Sequence, residues 1–136
     1  MKRVLLLMLL FAALPVHAAG NNDCSGLTFS EARSLADLPR EVVALLSNGN
    51  RKYLADSNEP FQLTDAGGPE DYPSSRFNLA AVNRERIFAV IEHGGVMHWF
   101  ELWSLTRGWT GWRVAQKNRI EEIPGTAKAL TAQACK

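Results

Sequence analysis

The sequence predicts an α+β fold, with one main helix near the N-terminal end packed on an antiparallel β-meander of four strands, or five. Three observations predict it. Residues 38–47 carry a helix pattern with its own start and stop signals, and residues 76–116 alternate apolar and polar side chains between turn residues. The third is the placement of Cys24 and Cys135 near the two ends of the 136-residue chain, where a disulfide would close a single domain.

The first segment reads as a targeting signal. Lys2 and Arg3 precede an unbroken apolar run over residues 4–14, and Val16-His17-Ala18 has the small-x-small spacing that signal peptidase cuts, between Ala18 and Ala19. Eleven apolar residues are too few for a spanning helix, which needs about 20. Asn21-Asn22-Asp23 before Cys24 also lacks the pattern of a bacterial lipid anchor. The expectation is a signal peptide over residues 1–18, a periplasmic or secreted product, and no membrane span after cleavage.

Loss of 18 residues from 136 leaves 118, enough for one domain at 19–136 and too few for two. It also removes two of 15 basic residues, leaving 13 against 14 acidic ones and a net charge of −1. A near-neutral chain without a basic run gives no electrostatic reason to expect nucleic acid or an anionic membrane as partner. In an exported chain an even pair of cysteines reads as a Cys24–Cys135 disulfide. Neither has the CxxC spacing or neighbouring histidine of a reactive or metal-binding thiol.

Taken in order, residues 30–37 have helix-compatible composition but are short. The stronger helix follows, with Asp37 as cap, Pro39 in the first turn, Val42-Val43-Ala44-Leu45-Leu46 as the apolar stretch and Asn48-Gly49 as the stop. Residues 52–55 and 61–63 are candidate short strands. Residues 65–75 form a Gly/Pro-rich loop whose acids lack calcium-loop spacing. Strands are expected at 77–82, 86–92, 96–105 and 112–116, with turns at 83–85, Gly94-Gly95 and Arg107-Gly108. A short helix at 126–133 closes the tail. The element order resembles a cystatin-like α+β roll, a likeness of fold that implies no function.

Chemistry concentrates in VIEHGGVMHWFELW, residues 90–103. If Gly94 and Gly95 are the central pair of a two-residue hairpin, paired positions sum to 189, and Glu92 faces Met97 while Arg86 faces Trp103. One face then carries Ile87, Ala89, Ile91, Phe100 and Leu102 with His93 and His98, the expected core side. The other carries Arg86, Phe88, Glu92, Trp99, Glu101 and Trp103. The two histidines find no third ligand on their face, so no metal and no cofactor is expected. Glu92 and Glu101 would share the second face two rows apart, roughly 10 Å by strand rise. That approaches an inverting-glycosidase separation, but no cleft is in view to raise one pKa, and solvated acids beside Arg84 and Arg86 are the simpler reading. The usual nucleophile, phosphate-loop and metallohydrolase motifs are absent from the sequence, and no catalytic residue is singled out.

The second face is therefore the expected binding surface, because Trp, Phe and Arg with Met97 beside them have the composition of an interface centre. The alternative for that face is burial beneath a terminal segment. The function this implies is an exported binding protein acting by protein–protein recognition, as an inhibitor, immunity-type protein or accessory factor of the cell envelope. A homo-oligomer joined through the Trp face is a variant of it. The rival is a small-ligand-binding or weakly hydrolytic protein, with His98 or Glu101 in a pocket between helix and sheet.

Overall fold

A computed structural model of the chain describes residues 23–64 and 71–136. The expected signal peptide and cleavage site, and residues 65–70 of the expected loop, lie outside the described residues. No helix among the described residues is long and apolar enough to cross a membrane.

The architecture is α+β: a six-stranded, mostly antiparallel sheet with two helices. Strand β1 (Ser30–Ala32) leads through a 3-10 turn (Leu35–Asp37) into α1 (Arg40–Leu46), and a second 3-10 turn precedes β2 (Leu54–Ala55). Then come β3 (Ser75–Val82), β4 (Arg86–His93), β5 (Trp99–Gly108), β6 (Gly111–Ile120) and α2 (Ala127–Ala134). The sheet order is β1-β3-β4-β5-β6, and β2 adds parallel to the start of β3 at Ser75 and Arg76.

Both faces of the sheet are cores, which corrects the expectation of one main helix on a four- or five-stranded sheet. One core packs Leu35, Leu38, Val42 and Leu46 against Phe77, Ile87, Ala89, Ile91, Trp103 and Leu105. The other packs Ala127, Leu130 and Ala134 of α2 against Leu79, Ala81, Phe88, Val90 and Leu102. Residues 87–91 are accordingly all buried, because inward and outward positions alike meet a helix.

Local chemistry explains where α1 begins and ends. Val42 and Leu46, four residues apart, share its buried face. Asp37 does not cap it: that carboxylate turns back to accept from the Arg33 and Ser34 N–H groups, in a capping box that starts the preceding 3-10 turn. The stop is as the sequence implies. Asn48 takes a left-handed conformation (φ 49°), and the N–H groups of Asn48 and Gly49 bond the carbonyls of Leu45 and Ala44 at 3.2 and 2.7 Å. Residues 30–32 form β1 rather than helix, Phe61–Leu63 is not a strand, and of residues 52–55 only Leu54 and Ala55 are extended.

The largest departure is at Gly94-Gly95. The pairs His93↔Trp99 and Glu92↔Phe100 sum to 192, not 189, so β4 and β5 are joined by a five-residue loop, 94–98. The two-residue hairpin of this sheet lies instead between β5 and β6, where Gly108 pairs with Gly111 around Trp109 and Thr110. Gly94 serves a close approach rather than a tight turn: a Cβ there would stand 1.8 Å from the Gln62 carbonyl oxygen. The Gly94 and Gly95 N–H groups donate to Ser74 and Leu63 carbonyls, at 2.9 and 3.3 Å.

Gly94→Ala is therefore expected to displace residues 61–63 and destabilise the protein by about 1–3 kcal/mol, as overpacking does. Gly49→Ala meets nothing within 4 Å and should cost only the strain of its positive φ, about 1 kcal/mol. Urea denaturation of both variants checks this, and a Gly94→Ala loss no larger than that of Gly49→Ala would contradict it.

Candidate functional site

A shift of three in register is odd, so every β5 side chain changes face relative to the expected pairing. Trp99, Glu101 and Trp103 join His93, Ile91 and Ala89 on the α1 side, while Phe100 and Leu102 join Glu92, Val90 and Phe88 on the α2 side. The six residues expected to share one binding face are thus divided. Arg86, Phe88 and Glu92 alternate together toward the α2 side, and Trp99, Glu101 and Trp103 point the other way. Glu92 and Glu101 lie on opposite faces and cannot act as a carboxylate pair. Phe88 (1 % exposed), Glu92 (4 %) and Trp103 (4 %) are buried, whereas Arg86, Trp99 and Glu101 are half-buried.

Two polar clusters occupy the end of the sheet where β3 begins and β4 ends. On the α2 side, the buried Glu92 carboxylate accepts from the Arg76 guanidinium (2.7 Å) and meets His98 Nε2 at 2.7 Å. The Arg76 charge on one oxygen and the His98 ring nitrogen on the other satisfy a carboxylate buried there. Arg76 also covers the Phe61 ring, and His98 lies edge-on to Phe100.

On the α1 side, three adjacent strands contribute a continuous chain of contacts. Ser75 Oγ lies 2.9 Å from His93 Nδ1, and His93 Nε2 lies 3.2 Å from Glu101 Oε2, which also accepts from Trp103 Nε1 at 2.7 Å. The His93 ring stacks on Trp99 at 4.1 Å between centroids. From β6, the Lys117 ammonium sits 3.5 Å over Trp103 and Arg119 lies 5.6 Å over Trp99. Burial pushes the His93 imidazole below its ordinary range, against the contrary pull of Glu101, and the Lys117 charge adds to the lowering.

The unfolded chain takes up the His93 proton first, so this group's stabilisation is complete above about pH 6.5 and is lost as pH falls through the folded-state pKa. The expected results are a His93 midpoint below 6.5 by NMR titration and, below that pH, a shallower fall in Tm for His93→Gln than for the wild type. A midpoint at or above 6.5 would mean that the Glu101 ion pair outweighs burial.

Large apolar side chains are exposed on the segments around this end of the sheet. Six large hydrophobic side chains are exposed among the described residues, and Leu63 (48 %), Tyr72 (40 %), Val96 (87 %) and Met97 (58 %) belong to segments stitched together here. The stitching is the Gly94 and Gly95 bonds already described, with a Gln62 N–H to Pro73 carbonyl bond at 2.8 Å. Beside them, His98, Trp99, Phe100, Arg119, Ile120 and Glu121 line a groove of about 510 Å³. A larger, shallower groove of about 1170 Å³ lies elsewhere, between residues 27–30, the start of α1 and the β3–β4 turn.

Sequence reasoning missed Ser75, which it placed in a loop, and Val96, which it placed in a strand; Met97 it set beside the binding face, but in a strand rather than a loop. It also gave no role to Leu63, Tyr72, Lys117 or Arg119. The available signal for Ser75 was its spacing of two from Phe77, which sets both on one side of β3 ahead of the bulge between Phe77 and Leu79.

Fold and geometry together define an α+β domain with a polar relay and an apolar rim at one end of its sheet. No family model, curated protein or solved structure matches the chain.

Proposed function

We propose that this chain is an exported binding protein, periplasmic or secreted, that acts by protein–protein recognition in the cell envelope as an inhibitor, immunity-type protein or accessory factor. The observation that carries the reading is the clustering of Leu63, Tyr72, Val96 and Met97 at one end of the sheet. Exposed apolar side chains scattered singly need no explanation, but four on segments joined by backbone hydrogen bonds beside Trp99, His98 and Arg119 have the composition of an interface centre. The 94–98 loop, which carries Val96 and Met97, forms the centre of this surface. On element order alone, β1 and α1 followed by four antiparallel strands, we also read the sheet as a roll of the cystatin kind.

The test compares oxidised wild-type protein with a Val96→Asp/Met97→Asp variant as baits for envelope and culture extracts, followed by affinity measurement on the purified partner. Both side chains are exposed, so folding stability should change by no more than about 0.5 kcal/mol. Loss of an interface anchor of about 2 kcal/mol should weaken binding roughly 30-fold. Recovery of the same proteins by both baits, or of none, counts against the proposal.

A further inference from the structure

We propose that Ser75, His93 and Glu101 also form an acyl-transfer relay, in which the Ser75 hydroxyl is a nucleophile toward activated esters and thioesters. Three side chains from β3, β4 and β5 run donor to acceptor across the sheet, Ser75 Oγ to His93 Nδ1 at 2.9 Å and His93 Nε2 to Glu101 Oε2 at 3.2 Å. With a neutral imidazole and an ionised Glu101, Nε2–H donates to the carboxylate and Nδ1 accepts from the serine. That is the tautomer a general base needs. The ring is turned relative to the usual Ser–His–acid arrangement, where serine meets Nε2, but the proton path is equivalent.

The supports of the relay are those of a held site rather than a chance contact. Trp103 Nε1 fixes the Glu101 oxygen that faces His93, and the Trp99 ring fixes the imidazole plane. The His93 and Glu101 side chains are only 20 % and 16 % exposed, while Ser75 is half-buried. Burial keeps His93 neutral near pH 7, so Nδ1 is free to take a proton.

The reaction closes in two steps. Ser75 Oγ bonds to the acyl carbon as its proton passes to His93 Nδ1, and the carbonyl π pair moves to oxygen. Collapse expels the leaving oxygen or sulfur, which takes the proton from Nδ1. Water then attacks the acyl-serine, giving its proton to Nδ1, and the second collapse returns the Ser75 oxygen, which recovers that proton. The imidazolium formed in each step is stabilised by Glu101. The substrate class follows from the backbone: the N–H groups of Gly94 and Gly95, next after His93, are already bonded to carbonyls. Neither serves a developing oxyanion, so the relay suits acyl groups on leaving groups of low pKa rather than amides.

The test uses the full oxidised chain, a fluorophosphonate probe and p-nitrophenyl acetate. The expected result is one phosphonate adduct per molecule, mapped to Ser75, with ester hydrolysis reduced at least tenfold in Ser75→Ala. Labelling should rise with pH through a single ionisation below about 6.5, and this step should vanish in His93→Gln. Glu101→Gln tests the positioning role by moving that midpoint. Labelling of the unaltered protein needs no variant to fold. An adduct elsewhere or none at all, or equal hydrolysis by wild type and Ser75→Ala, overturns the proposal and leaves the three residues as a cross-strand tie.

Discussion

Phe88→Ala is expected to destabilise the protein by about 3–5 kcal/mol, the range for removing a fully buried aromatic side chain. Phe88 is 1 % exposed in the α2-side core, where its ring lies 5.6 Å from that of Phe29, between centroids. Its neighbours Leu79, Ala81, Val90, Leu102 and Leu130 are all buried, so little can collapse into the space it leaves. Phe88→Leu, which leaves a smaller void, should cost less than about 1.5 kcal/mol if the core repacks. The pair of variants separates the two roles open to this residue. A core residue loses stability in proportion to the volume removed, and Phe88→Leu keeps any partner that the wild type holds. Unchanged urea unfolding of Phe88→Ala, together with lost partner binding, would instead place Phe88 on an accessible surface.

That contrast shows where the sequence was informative and where it was silent. Alternation located β3 to β6 to within a few residues, and within β4 it correctly separated Ile87, Ala89 and Ile91 from Phe88, Val90 and Glu92. What it could not supply was the register between strands. Gly-Gly between two apolar runs has the chemistry of a two-residue turn. Here Gly94 is required by the Gln62 backbone pressing against it, a contact 32 positions distant that no local pattern encodes. The three-residue shift that follows exchanges the faces of β5 and so dismantles the expected six-residue surface.

One signal for the second core was present. Ile87-Phe-Ala-Val-Ile91 is an unbroken apolar run, the pattern of a strand covered on both sides, and it argues against leaving one face to solvent. The relay was less legible. Ser75 and His93 are 18 positions apart, and only the β3–β4 pairing brings them together.

Replacing Cys24 and Cys135 by Ser together is expected to remove about 4–5 kcal/mol, because the cross-link closes a loop of 111 residues in the unfolded chain. For a domain of ordinary stability, about 5–15 kcal/mol, that is about a quarter or more of the total. The corresponding fall in Tm is roughly 15–25 °C. The structure shows which part should give way first. Cys135 is the C-cap of α2, and both half-cystines pack on the edge of the core that α2 covers. The other end of α2 is held independently: Glu31 accepts from the Ala127 N–H at 2.7 Å, and Arg33 donates to the Gly125 carbonyl at 2.6 Å. That Ala127 bond, with help from Arg33, holds the Glu31 carboxyl below the usual carboxylate range. Without the disulfide these bonds remain, but they anchor only the start of a helix eight residues long, too short to persist without tertiary packing. Hydrogen exchange in the double variant should therefore quicken first in α2, while β4 and β5 stay protected until global unfolding. A loss below about 1 kcal/mol would mean that the unfolded chain already keeps its ends together, against the loop-closure account.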